Sequence, residues 1–260
     1  MMYKIKKTNK MKLKGKVAIV TGGARDLGRA ISMKIASEGA KVVINYFDNP
    51  EDAEETLKLI KSAGGEGIAV QGDMTKAEDV KKLFDAGVAA YGNTMHVLVN
   101  VVGGLVGRKQ ITEQDEAWYN FLMDVNMKSC WLCTREAVPY MTDGGSIINF
   151  SSLAARDGGG PGASLYATAK GAVMTFTRSM AKELGPKGIR VNALAPGTIA
   201  TSFHDRFNTP ENRERMKGMY PLRREGDAGD IADLVMFFAA ADSDYITGTN
   251  VDINGGIFFS

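Results

Sequence analysis

A short apolar run, Lys16-Val-Ala-Ile-Val-Thr21, opens into closely spaced glycines and then into a helical pattern, and no other feature constrains the fold as tightly. The run is β-branched in part and reads as a buried strand. Gly22, Gly23 and Gly28 follow it, and Arg29-Ala-Ile-Ser-Met-Lys-Ile-Ala36 has the spacing of a helix. Strand, glycine turn and helix together present backbone N–H groups and a positive helix end to a phosphate. A second strand, Ala40-Lys-Val-Val-Ile-Asn45, completes a β-α-β unit of the length that a dinucleotide-binding fold uses. A bare glycine cluster is more often an ordinary tight turn; the two flanking strands favour the cofactor reading.

Alternation of strand and helix patterns continues to the end of the chain. Strands are expected near 16–21, 40–45, 66–70, 96–100, 145–151, 189–194 and 249–253. Helices are expected near 27–38, 51–63, 76–91, 114–141, 165–184, 203–218 and 228–240. That order specifies a single-domain α/β Rossmann fold, a doubly wound parallel sheet of about seven strands with helices on both faces. A chain of 260 residues, 44% hydrophobic, has the size and the apolar content for one such domain, placed at 13–260. Residues 1–12 are basic and are expected to be a disordered lead-in, or to follow from a start upstream of Met11.

The net charge is only +2, and seven lysines stand in the first sixteen residues, so the remainder is slightly acidic. No sustained basic face is left for a nucleic acid. The start has no apolar core of a secretory signal, and no 18-residue apolar stretch exists to span a membrane. Cys130 and Cys133 form C-x-x-C in an apolar helical stretch. With His96 and His204 the only histidines, zinc is not expected, and buried reduced thiols in a cytoplasmic chain are.

Tyr166 and Lys170 lie four apart in Ser164-Leu-Tyr-Ala-Thr-Ala-Lys-Gly171, which places both on one face of a helix. A free tyrosine has a pKa of about 10 and donates protons poorly near neutrality. A nearby ammonium favours the phenolate, so the expectation is a phenol tuned downward toward working pH. Such pairs also arise by chance on half-exposed helices, and the spacing alone is a weak signal.

The ensemble resembles the short-chain dehydrogenase/reductase family. Thr21-Gly-Gly-Ala-Arg-Asp-Leu-Gly28 is similar to its T-G-x-x-x-G-x-G turn, Asp73 to its adenine-contacting Asp, and Asn100-Val-Val-Gly103 to its N-N-A-G. Asn126, Ser152, Tyr166 with Lys170, and Pro196-Gly197-Thr198 follow in the family's order over residues 13 to 256. The resemblance implies a catalytic set of Asn126, Ser152, Tyr166 and Lys170. It implies cofactor contacts at Gly22, Arg25, Asp26, Leu27, Gly28, Asn45, Tyr46, Asp73, Met74, Asn100, Gly103, Tyr166, Lys170, Pro196, Gly197, Ile199 and Thr201. Two departures stand out: Asp26 replaces the middle glycine of the turn, where a carboxylate is expected to turn outward or cap the helix, and Val101 replaces the second Asn.

Cofactor choice is read at the end of the second strand, where an acidic residue would bind a ribose 2′-hydroxyl and repel a 2′-phosphate. Asn45-Tyr46-Phe47 stands there, with Asp48 further on, and Arg25 is suited to a 2′-phosphate. NADP(H) is favoured, with NAD(H) the alternative. The substrate end is expected to hold Ser152, Arg156, Tyr166, His204 and Arg206, arginines that suit an anionic carbonyl compound. Arg156-Asp-Gly-Gly-Gly-Pro-Gly162, Phe203-His-Asp-Arg-Phe207 and the ending Val251–Ser260 resemble reductases of 4-deoxy-5-hexoseulose uronate, which form 2-keto-3-deoxygluconate in alginate catabolism.

The rival is a 3-oxoacyl-[acyl-carrier-protein] reductase, which would expect an exposed basic patch such as Arg213 to Arg224 beside the cleft. A more distant alternative is a non-catalytic cofactor-binding protein, favoured only by Asp26 and Val101. The family also implies a homotetramer, with Phe258-Phe259 packed on a neighbouring subunit.

Overall fold

The computed structural model describes residues 11–201 and 210–260. Seven strands, β1 (Val17–Thr21), β2 (Lys41–Tyr46), β3 (Glu66–Gln71), β4 (Met95–Asn100), β5 (Met141–Phe150), β6 (Arg190–Pro196) and β7 (Asn250–Ile253), form one sheet in the order β3-β2-β1-β4-β5-β6-β7. Every pairing is parallel, and β1 lies between β2 and β4 with Ala18 opposite both Val42 and Val97.

Alternate residues of each strand face opposite layers, as the two-residue period of a strand requires. Ala18 and Val20 of β1 join Val42 and Ile44 of β2 in a core closed by Ile31 and Ile35 of helix α1 (Asp26–Ser37) and by Ile231, Val235 and Phe238 of α9 (Ala228–Ala239). Val17, Ile19 and Val43 point the other way, onto Leu83 and Phe84 of α3 (Ala77–Tyr91), Leu132 of α5 (Ser129–Ala137) and Leu184 of α7 (Ser164–Leu184). Apolar runs without polar alternation are the pattern of strands covered on both faces. The remaining helices are α2 (Pro50–Ser62), α4 (Glu116–Met123), α6 (Ala154–Asp157) and α8 (Pro210–Met219).

Two boundaries differ from the expected ones. The single helix expected at 114–141 is broken: a π-turn at Asp124–Lys128 separates α4 from α5, and Pro139, in the turn Val138–Tyr140, stops the run so that β5 begins at Met141. Of the helix expected at 203–218, residues 202–209 lie outside the described residues, and the described part runs Pro210–Met219. Met11 and Lys12, counted in the lead-in, are held to the fold. The Lys12 N–H donates to Glu38 and its ammonium lies 2.5 Å from Asp242. Among the described residues no helix is long and apolar enough to cross a membrane.

Buried polar side chains tie the strand ends together. Asn45, 2% exposed, accepts from the Gly22 N–H at 3.1 Å and donates to the carbonyls of Gly72 (2.9 Å) and Tyr46 (3.1 Å). It thus joins the ends of β1, β2 and β3 at the edge where the glycine turn leaves the sheet. Asn45→Ala is expected to lower the unfolding free energy by about 2–4 kcal/mol, because it strands a buried donor and a buried acceptor. Urea unfolding followed by circular dichroism measures this; a loss below about 0.5 kcal/mol would contradict the tie.

Candidate active site

Strand order reverses between β1 and β4, and in open α/β sheets that crevice, outside the carboxyl ends of the strands, is where ligands bind. Here it widens into a cleft of about 970 Å³. The glycine turn, with Tyr46, Asp73 and Met74, lines one end, and Ser152, Tyr166 and Lys170 line the other. Gly103, Pro196, Gly197, Ile199 and Thr201 line the cleft as well.

The phosphate-binding end is built by close backbone approach. A Cβ on Gly28 would lie 1.9 Å from the Gly22 carbonyl oxygen, so no side chain fits there. Helix α1 therefore begins hard against the turn, and its N-terminal amides open into the cleft beside Gly22, Arg25 and Leu27. A dinucleotide's diphosphate fits this cradle. Asp26, in the place of a glycine, keeps the left-handed backbone of that position (φ 47°) and sits in the first turn of α1. Arg25 is exposed, and no carboxylate among the described residues lies within 4.0 Å of it, which suits a 2′-phosphate. Asp73 Oδ1 accepts from the Thr75 N–H at 2.9 Å and its hydroxyl at 2.8 Å, fixing the carboxylate at the rim.

Two expected cofactor contacts take other roles. Asn100 does not line the cleft; its buried amide donates to Asn149 Oδ1 at 2.9 Å and to Thr134 at 3.3 Å, binding β4 to β5 and α5. Asn45 lines the cleft, but its amide is committed to the strand-end bonds above. Val101, at the place of the second Asn, keeps the wall in position with its backbone, donating its N–H to Thr21 Oγ1 at 3.1 Å.

At the other end, Ser152 follows β5, Tyr166 and Lys170 stand two residues and six residues into α7, and Asn126 occupies the π-turn. Ser152 Oγ accepts from the Ala154 N–H at 3.1 Å, and the serine stands beside the Tyr166 hydroxyl, where it favours the phenolate. Lys170 is 4% exposed, donates to the Phe150 carbonyl at 2.8 Å and lies 5.9 Å from the centre of the Tyr166 ring. Asn126 stands behind the cleft wall, exchanging hydrogen bonds with the Gly104 backbone at 2.8 and 3.0 Å. The convergence is tight: a Cβ on Gly103 would fall 2.7 Å from Lys170 Nζ and 2.8 Å from Asn126 Oδ1.

The expected lowering of the Tyr166 pKa is corrected. Burial in the cleft pushes it up, and only the Ser152 hydrogen bond opposes this. Lys170 responds instead: burial pulls its pKa down to about 8. Cys130 and Cys133 are free and buried as expected, and burial pushes the Cys130 thiol up to about 12, so neither the place nor the acidity of a redox pair is present.

Of the expected substrate contacts, Ser152 and Tyr166 line the cleft, whereas His204 and Arg206 lie outside the described residues. Arg156 does not line it. Its guanidinium lies 3.1 Å from Asp252 and donates to the Asn250 carbonyl at 2.9 Å, which pins α6 to the sheet edge. Leu105, Val106, Arg108, Phe121, Val125 and Met216, which the sequence reading did not single out, complete this end. They come from a loop, the α4–π-turn stretch and α8, with no shared spacing to mark them.

The family model described as enoyl-(acyl carrier protein) reductase matches residues 22–258. A Serratia marcescens short-chain dehydrogenase/reductase superposes with a TM-score of 0.89 at 32% identity, covering 95% of this chain and 99% of that one. The chain belongs to the short-chain dehydrogenase/reductase family. It is therefore an NAD(P)-dependent oxidoreductase acting on the CH–OH/C=O couple. Among relatives of this short-chain dehydrogenase/reductase are the uncharacterized oxidoreductase YgfF of Escherichia coli, 35% identical over 92% of this chain and 99% of its own length. The 3-oxoacyl-[acyl-carrier-protein] reductase FabG of Staphylococcus aureus is 36% identical over 94% and 98%. A short-chain dehydrogenase from Burkholderia cenocepacia, solved in complex with NADP, has a TM-score of 0.88 at 30% identity over 95% of this chain and 99% of that one.

Asp26 places a carboxylate at the end of the cleft where the diphosphate fits. Asp26→Asn is expected to tighten NADPH binding by about fivefold or more, by removing one like charge at short range. Fluorescence titration of the purified protein with NADPH measures it; an unchanged or weaker affinity would show that the carboxylate does not oppose the ligand.

Proposed function

We propose that this protein is an NADPH-dependent carbonyl reductase whose substrate is a small anionic keto-sugar of the 4-deoxy-5-hexoseulose uronate type. The observation that carries the reaction class is the meeting of Ser152, Tyr166 and Lys170 at one end of a cleft whose other end is a diphosphate cradle. NADPH, favoured by Arg25 and by the NADP held in the Burkholderia relative, would be held by Gly22, Arg25, Gly28, Tyr46, Asp73 and Gly103, with Lys170 at its far end. When bound, it supplies the hydride.

The chain's own residues handle the oxygen. The Ser152 hydroxyl donates to the carbonyl oxygen and strengthens as negative charge develops there. The Tyr166 phenol, held protonated by its raised pKa, gives its proton to that oxygen, since an alkoxide is far more basic than a phenolate. The Lys170 charge beside the Tyr166 ring favours the phenolate left behind, and Asn126 holds the backbone wall against Gly104. A resting protonated tyrosine suits reduction better than oxidation.

A 3-oxoacyl-[acyl-carrier-protein] reductase is the second reading, favoured by the FabG relatives. Two arginines of the basic patch expected for a carrier are paired with acids: Arg213 lies 2.6 Å from Glu225 and Arg224 2.6 Å from Asp230. NADPH oxidation at 340 nm with the keto-uronate and with a short 3-oxoacyl thioester separates the two. Turnover of the keto-uronate alone is expected; turnover of the thioester alone would move the protein to the second reading.

Tyr166→Phe is expected to lower kcat by about 10³-fold or more while NADPH still binds, and Ser152→Ala by about 10²–10³-fold. Retained turnover in Tyr166→Phe would remove the phenol from the chemistry. Lys170 is charged below its folded pKa and neutral above it. Accordingly kcat/KM for NADPH, which reports free-enzyme ionisations, is expected to decline as the pH rises through about 8. A flat profile to pH 10 would contradict this role.

The tetramer reading rests on the family together with apolar groups left outside: Tyr119 and Trp131 on α4 and α5, and Phe259 at 82% exposure. Light scattering after gel filtration is expected to give four chains; a monomer mass would sink it.

A further inference from the structure

We infer that Arg108, on the loop after β4, is the residue that receives the carboxylate of the substrate and so sets the preference for anionic carbonyl compounds. The inference rests on the reductase reading above. Arg108 lines the same cleft as Ser152 and Tyr166. Unlike Arg156, Arg213 and Arg224, each within 3.1 Å of a carboxylate, it has no carboxylate of the described residues within 4.0 Å. Among the described residues it makes one hydrogen bond, from Nη1 to the carbonyl of Pro161, at 2.9 Å. That bond holds the guanidinium in place without neutralising it, leaving Nε and Nη2 for an anion; a planar fork of donors matches a carboxylate. The acid at the end of α6, Asp157, also lines the cleft, and its Oδ1 accepts from the Gly159 N–H at 2.8 Å.

The backbone around Arg108 is arranged to hold it there. Lys109 N–H donates to the Gly162 carbonyl at 3.2 Å, closing the loop after β4 against the glycine-rich loop after α6. The approach is close: a Cβ on Gly162 would lie 3.0 Å from Arg108 Cβ and 3.1 Å from the Lys109 nitrogen, and φ at Gly162 is 77°. Two residues before Arg108, Val106 has φ 60°, and the Gly107 N–H closes a three-residue turn onto the Leu105 carbonyl at 2.6 Å. A β-branched residue in the left-handed region is strained, and such strain persists where the surroundings fix a binding loop. The glycine-rich run after Arg156 therefore acts as the bed on which Arg108 rests, while Arg156 itself anchors that run to β7.

The test compares 4-deoxy-5-hexoseulose uronate with its uncharged methyl ester, using NADPH and three proteins: the unaltered chain, Arg108→Gln and Arg108→Lys. Glutamine keeps an N–H for the Pro161 carbonyl but has no charge. The unaltered enzyme is expected to prefer the acid. In Arg108→Gln the acid-to-ester ratio of kcat/KM is expected to fall about 10–100-fold, mainly through KM, with partial return in Arg108→Lys. A purely structural role would lower both compounds together and leave the ratio standing, which would overturn the inference. No preference for the acid in the unaltered enzyme would overturn it too, while the reductase reading stood. Reduction of neither compound would sink the keto-uronate reading itself, and the anchor with it.

Discussion

The contact between the Gly28 backbone and the Gly22 carbonyl decides where everything else in this molecule goes. With no room for a side chain at Gly28, α1 starts immediately under the carboxyl end of β1, and its positive end opens into the crevice at which the sheet changes direction. Asn45 and Thr21 fasten the same turn to β2 and to the wall after β4. A shift of the turn by a fraction of an ångström would move one end of the cleft relative to the other, where Tyr166 stands. The two ends are rigidly related because both hang on one sheet, on β1 and β5 with β4 between them.

The second constraint is electrostatic. A lysine 4% exposed beneath a tyrosine is costly in charged form, and its hydrogen bond to the Phe150 carbonyl does not remove the cost of lost water. The protein responds by lowering the lysine pKa to about 8 and raising that of the tyrosine. The pair is therefore poised with the phenol protonated and the ammonium close to giving up its charge. Beneath it, Asn149 links Asn100 and Thr177 through its amide and accepts from the Cys130 thiol at 3.3 Å, a buried network that fixes β4, β5, α5 and α7 together.

The fold was legible because the central strands β1 and β2 are short apolar runs covered on both faces and α1, α2 and α3 are amphipathic, so the period of the pattern reports the element directly. The exceptions have local causes. The π-turn at Asp124–Lys128 leaves no trace in a hydrophobic pattern that runs through it unchanged, and Pro139 ended the helix before the apolar run did. At the site, Tyr166, Lys170 and Ser152 were legible from spacing and order. Arg156 was misread and Arg108 missed for one reason: which arginine faces the cleft depends on which finds a carboxylate elsewhere, and Asp252 is 96 residues away along the chain. Asn100 was misplaced because a strand-end asparagine looks the same whether its amide turns to a ligand or to the next strand.

The account stands on direct transfer of hydrogen between a cofactor in the cleft and a carbonyl held by Ser152 and Tyr166. The most direct measurement uses NADPH carrying two deuterium atoms at the transferable carbon, with the keto-uronate as acceptor and the product analysed by mass spectrometry. The account predicts a product heavier by one deuterium, bound to the carbon that was the carbonyl. NADPH that binds without forming a product, or a product without label, would contradict it.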